Sequence, residues 1–158
     1  MFGLFKSKVQ EEIVAPIKGT VVNSAEVPDP TFAEEMLGKG VAIIPSEGKV
    51  YAPCDGTVSL VFDTKHAISF TSEKGAEILV HVGLDTVELK GEFYTALVNT
   101  GDTVKKGDQV LEFDMEKISA AGYKLITPVV VCNTDDYKEI KTLTGKDKNI
   151  GETIIELM

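Results

Sequence analysis

The apolar residues of this chain come in short alternating runs, which Gly, Pro, Ser and Asp interrupt at intervals of about 8 to 12 residues. VAIIPSEGKVY, GTVSLVF, HAISF, EILVHV, FYTALV, LITPVVVCN and GETIIEL are examples. Runs this short cannot build an apolar helix face, whereas a strand of five or six residues can point alternate side chains into a core. The pattern predicts an all-β protein, an antiparallel β-sandwich or barrel with a few short helical turns. Helical signals are confined to VPDPTFAEEMLGKG, with Phe32, Met36 and Leu37 at helical spacing and Gly38 as a stop, to MEKISAAG behind the cap residue Asp114, and to a turn within DDYKEI. The pattern APxxGTV occurs twice, from Ala15 and again 37 residues on from Ala52, which predicts two related β units.

Both histidines of the chain fall within one expected hairpin, Ile68 and Phe70 on its first strand, Ile78, Val80 and Val82 on its second, with Ser72 to Gly75 turning between them. A turn centred on Glu73 and Lys74 sets His66 directly opposite His81, with Cβ atoms about 5 Å apart. A turn centred on Lys74 and Gly75 makes them diagonal neighbours at about 7 to 8 Å. A slip of one residue from either puts the rings on opposite faces.

Two facing imidazoles suit reversible phosphoryl transfer. One ring attacks through one nitrogen while the other nitrogen holds its tautomer, and the second ring donates to the charge on the transferring group. Thr64 shares the face of His66 by strand alternation, so its hydroxyl is placed to orient that ring. Two neutral imidazoles are equally half a zinc site, with Asp85 in VGLDT either a third ligand or a surface charge set by turn chemistry. On this local reasoning both chemistries stand.

With 158 residues and 43% hydrophobic content, the chain is expected to form one domain over residues 13–158, behind a mobile leader of residues 1–12 that also reads as a membrane-touching tail. A net charge of −9 excludes nucleic acid as a partner. All sixteen basic residues are lysines, so a bidentate clamp on a phosphoryl group must come from another protein. Cys54 and Cys132 lack metal or redox spacing and are expected to be small buried hydrophobes in a reducing compartment. No run reaches the length of a membrane span, and the expected location is the cytoplasm.

VPDPTFAEEMLGKGVAI, APCDGTVSLVF, TKHAISF, EILVHVGLDTVELKGEFY and GDTVKKGDQVLEFD resemble, in order, the enzyme IIA domain of the glucose family of the bacterial sugar phosphotransferase system. The resemblance extends from Ile13 to the C-terminus. It implies a jelly-roll-like β-sandwich built on a duplicated hybrid motif. It also implies a monomeric carrier that takes phosphoryl from the phosphocarrier protein HPr and gives it to a cysteine in the IIB domain of a glucose-type sugar permease, with regulated target proteins as further partners. By position, His81 matches the phosphorylated residue, His66 the supporting imidazole, Thr64 the hydroxyl that orients it, and Gly83 the carbonyl that fixes the His81 tautomer. Asp29 and Asp85 match acidic docking positions, and Phe32, Leu37, Phe62, Leu79 and Val87 match the apolar ring around the site. No cofactor is implied beyond a phosphohistidine intermediate, with zinc on His66 and His81 as the alternative. APCDGTV and the DMEK segment are also similar to biotinyl and lipoyl carriers, where Lys117 would be the modified residue, but such domains are about half this length and need no histidine hairpin.

Overall fold

The computed structural model describes residues 8–158, so residues 1–7 of the expected leader lie outside the described residues. Strands follow one another as β1 (Glu11–Val14), β2 (Gly19–Asn23), β3 (Lys39–Pro45), β4 (Lys49–Tyr51), β5 (Gly56–Val61), β6 (Ala67–Ser72) and β7 (Glu77–His81). The second half adds β8 (Tyr94–Ala96), β9 (Thr103–Val104), β10 (Gln109–Phe113), β11 (Thr127–Val131), β12 (Ile140–Thr142), β13 (Lys146–Lys148) and β14 (Thr153–Leu157). Among the described residues helix is limited to α1 (Pro30–Ala33), α2 (Met115–Ala120) and single 3-10 turns. All pairings among the described residues are antiparallel. They build one large sheet in the order β13-β2-β3-β11-β7-β6-β5-β9 and two three-stranded sheets, β1-β14-β12 and β4-β10-β8. The expected β-sandwich is what the chain adopts.

The central strands of the large sheet bury both faces. Val21, Val41, Ile43, Ile68, Phe70, Ile78, Val80, Val129 and Val131 point into the main core, which also takes Ile13, Val50, Leu111, Ile154 and Leu157 from the two smaller sheets. Their immediate neighbours Val22, Ala42, Ala67, Leu79 and Val130 point the other way into a second apolar cluster, completed by Val27, Phe32 and Leu84. Period-two alternation thus supplies two cores from one set of strands, and the smaller one carries the histidines.

The two APxxGTV copies sit in equivalent places. Each glycine opens a strand, β2 or β5, and faces a neighbouring strand's carbonyl, that of Ile44 or of Thr71, so closely that a Cβ would overlap it. The copies also bond to each other reciprocally. Val14 N–H donates to Pro53 O at 3.1 Å, and Tyr51 N–H, the same position in the other copy, donates to Pro16 O at 2.7 Å.

Several expectations change. β1 begins at Glu11 rather than Ile13, because Glu11 and Glu12 pair with Leu157 and Glu156 of β14. α1 stops at Ala33, since Glu35 takes a left-handed φ of 55°, and Met36 and Leu37 therefore leave the helical stripe. Cys54 is buried as expected, but Cys132 is exposed, on the first residue beyond β11.

Candidate functional site

The hairpin register is neither of the two expected. Ala67 pairs with His81 and Phe70 with Ile78, because the loop holds three residues, Glu73, Lys74 and Gly75, with Gly75 left-handed at φ 98°. Ser72 closes it from both sides: its amide donates to Ala76 O, and its hydroxyl accepts from Ala76 N–H at 2.9 Å. By alternation alone this one-residue slip separates the histidines. They meet nonetheless, with ring centroids 4.8 Å apart and planes at 83°. His66 lies one residue before β6, in a bend entered through Lys65 at φ 57°, where the pleat no longer dictates direction. Across from His81 the strand offers only the methyl of Ala67, beside which the larger ring lies.

Each ring is held by one nitrogen. His81 Nδ1 is 2.7 Å from Gly83 O, and since a carbonyl only accepts, Nδ1 carries the proton and Nε2 the lone pair. Gly83 turns back to reach it at φ 86°, a position where a Cβ would strike Thr86 and the Lys124 carbonyl. His66 Nδ1 is 2.6 Å from Thr64 Oγ1. A hydroxyl donating there leaves the His66 proton on Nε2. Thr64 makes this contact from the turn before β6, not by strand alternation.

The remaining residues divide into floor and rim. Phe32, on α1, is buried with its ring 5.0 Å from that of His81, and Phe62 lies 5.8 Å from the His66 ring. Leu79 is buried on the His81 face of β7. Leu37 and Val87 stand out at 43% and 49% exposure, and Met36, at helical spacing with Phe32 in the sequence, is 69% exposed. Asp29 caps α1, its Oδ1 accepting from Thr31 N–H at 3.0 Å, while Asp85 is exposed at φ 58° with no side-chain capping bond.

Burial lowers the His81 pKa below its ordinary value, against the Gly83 bond and the charges of Asp29 and Asp85, which favour the proton. Burial first and then the neighbouring His81 push His66 down to about 4. Both rings are therefore neutral at pH 7. Unfolded, His66 regains a pKa near 6.5, so between about 6.5 and 4 the unfolded chain binds the extra proton and stability falls as pH falls. One such proton contributes at most about 1.36 kcal/mol per pH unit. Urea unfolding at several pH values across this window should show a shallower slope for His66→Gln than for wild type. Parallel slopes would mean that His66 is not held neutral.

Among the described residues no group of three or more His, Cys, Asp or Glu is placed to hold a metal ion. Asp85 does not complete a set with the two imidazoles, and among the described residues the zinc alternative finds no third ligand. Lys117 lies in the first turns of α2 with Nζ 6.0 Å from the Phe93 ring. No helix among the described residues is long and apolar enough to cross a membrane.

A profile of the phosphoenolpyruvate-dependent sugar phosphotransferase system EIIA 1 family matches residues 11–137. The chain belongs to this family. It is 47% identical over 156 residues to a glucose-specific EIIA component of the phosphotransferase system from Oceanobacillus iheyensis, covering 96% of this chain and 94% of that protein. It is 53% identical over 143 residues to a β-glucoside-specific EIIBCA component from Bacillus subtilis, covering 87% of this chain but 24% of that longer protein. The structure of glucose permease IIA from Mycoplasma capricolum superimposes with a TM-score of 0.88 at 31% identity, over 94% of this chain and 96% of that one. As an EIIA component, the chain is a phosphotransferase, a carrier of phosphoryl groups.

Proposed function

We propose that this EIIA chain accepts phosphoryl on His81 Nε2 from the phosphohistidine of HPr and passes it to a cysteine in the IIB domain of a glucose-type permease, on the cytoplasmic side of the membrane. The observation that carries this reading is the bond from His81 Nδ1 to Gly83 O, which leaves Nε2 as the nucleophilic nitrogen of a neutral ring. The Nε2 lone pair forms the new P–N bond as the donor's P–N bond breaks, and that electron pair returns to the donor imidazole. In the second step the cysteine thiolate attacks phosphorus and the pair returns to Nε2. His66 lies alongside with a proton on Nε2 and donates it as a hydrogen bond to the phosphoryl oxygens, with Thr64 holding its ring.

The surroundings suit a macromolecular donor and acceptor. Clefts of about 810, 470 and 390 Å³ are lined by residues other than the histidines, of which His66 is buried and His81 half-buried. The exposed Leu37 and Val87 suit an apolar docking rim, while Asp29 and Asp85 offer carboxylates to basic partner residues. Lacking arginine, the chain draws the charge that stabilises the transferring group from its partners.

Incubation with phosphoenolpyruvate, enzyme I and HPr, followed by intact mass at mildly alkaline pH, tests the reading. Wild type should gain one acid-labile phosphoryl group and lose it when a IIB domain is added. His66→Gln should still gain the group but pass it on about 10²-fold or more slowly, in line with the loss of one preorganised donor. Absence of any gain in wild type would end the proposal.

A further inference from the structure

Residue 82 ties the two histidines together through its backbone. The Val82 amide donates to His66 O at 2.6 Å, and the Val82 carbonyl accepts two hydroxyls, Thr86 Oγ1 and Tyr94 Oη, each at 2.8 Å. The next peptide turns through Gly83, whose carbonyl receives His81 Nδ1, and Leu84 N–H is then tied to Lys124 O at 3.0 Å. Thr86 is fully buried and Tyr94 nearly so, so water does not compete for either bond.

The two hydroxyls do different things. Thr86 lies on the same turn, four residues ahead, and its bond shapes the turn locally. Tyr94 comes from β8, in another sheet, where its ring stacks on Phe113 of β10 at 6.4 Å and 27°. Burial pushes its hydroxyl up to about 12, against the Thr86 hydroxyl beside it, so it remains a donor throughout the neutral range. The Tyr94 bond is thus a fixed strut from the β4-β10-β8 layer to the peptide that precedes Gly83.

We infer that Tyr94 is a positioning residue for the His81 acceptor: by fixing the Val82 carbonyl it aims the Gly83 carbonyl at His81 Nδ1 and so keeps the lone pair on Nε2. This rests on the reading of His81 as the phosphoryl acceptor. A neutral imidazole has two tautomers, and the partner of one nitrogen decides which is present. Hydrogen bonds weaken steeply once misaligned, so a loosened turn lets the second tautomer appear.

Tyr94→Phe keeps the ring and its stack on Phe113, and leaves the Val82 carbonyl bonded to Thr86. Three measurements on this variant and wild type separate the possibilities: the ¹⁵N shifts of the His81 ring, the rate of phosphoryl acceptance against the concentration of phosphorylated HPr, and the urea unfolding midpoint. Wild type should show a single tautomer protonated at Nδ1. The variant should show ring shifts moved toward a tautomer mixture, and a maximal rate lowered about twofold to tenfold with an unchanged half-saturating concentration. A lowered unfolding midpoint with wild-type ring shifts and rate would overturn the inference and leave the hydroxyl a purely structural bond. Altered ring shifts in a protein whose wild type accepts no phosphoryl would instead overturn the acceptor reading while keeping the strut.

Discussion

Replacing His81 with Gln should abolish phosphoryl acceptance: after incubation with phosphoenolpyruvate, enzyme I and HPr, the intact mass of the variant is expected to stay that of the unmodified chain. The amide nitrogen of Gln has its lone pair delocalised into the carbonyl, so no nucleophile remains near the former Nε2 position, and loss of a covalent nucleophile costs about 10³-fold or more in rate. The fold should survive, because the half-buried ring at the end of β7 is packed on one side by Phe32 and leaves its other partners intact. The contrast with His66→Gln is diagnostic. Both substitutions remove an imidazole from the same 4.8 Å pair, yet only the His81 ring has its Nδ1 proton fixed by a carbonyl, which assigns the lone pair to Nε2. Full phosphorylation of His81→Gln would move the acceptor elsewhere and end the assignment.

The largest effect on stability is expected from Phe70→Ala. Phe70 is fully buried at the middle of β6, paired with Val58 of β5 on one side and Ile78 of β7 on the other, and its ring enters the main core. Deleting such a ring removes its transfer free energy and leaves a cavity that the flanking ladders cannot collapse, at about 3 to 5 kcal/mol. Against a total stability of about 5 to 15 kcal/mol this is a large share. Urea unfolding should give a midpoint lowered accordingly with an unchanged slope, and the folded fraction should still accept one phosphoryl group. A loss below about 1 kcal/mol would contradict the packing of this core.

Much of the architecture was legible because strand alternation is a local property. Val21 with Val22, Val41 with Ala42, and Leu79 between Ile78 and Val80 divide between the two cores as their spacing requires. Strand order was not legible, since β3 pairs with β11 across more than 80 residues and neither sequence names its partner. The hairpin is the instructive case. Its strands were readable, but the loop was assigned an even length, whereas Gly75 at the third loop position is the usual mark of a three-residue turn. The histidines were nonetheless placed together, and the reason is the left-handed Lys65, a non-glycine residue whose conformation leaves no trace in the sequence. The tautomer-fixing role of Gly83 came from the resemblance alone and Thr64 from strand alternation as well, and their bonds to the two rings are what the structure adds. Tyr94 carried no signal, because its hydroxyl acts across two sheets.

The reciprocal bonds between the two APxxGTV copies bear on the smallest stoichiometry at which this architecture is self-sufficient. Val14 N–H finds its acceptor at Pro53, and Tyr51 N–H finds its own at Pro16, so each copy meets a backbone need of the other and not its own. One copy in isolation would leave a buried amide and a buried carbonyl without partners, an expense comparable to a lost hydrogen bond for each. The irreducible unit is therefore a pair of reciprocally bonded copies, and a single polypeptide provides that pair at a fixed one-to-one ratio that dilution cannot disturb.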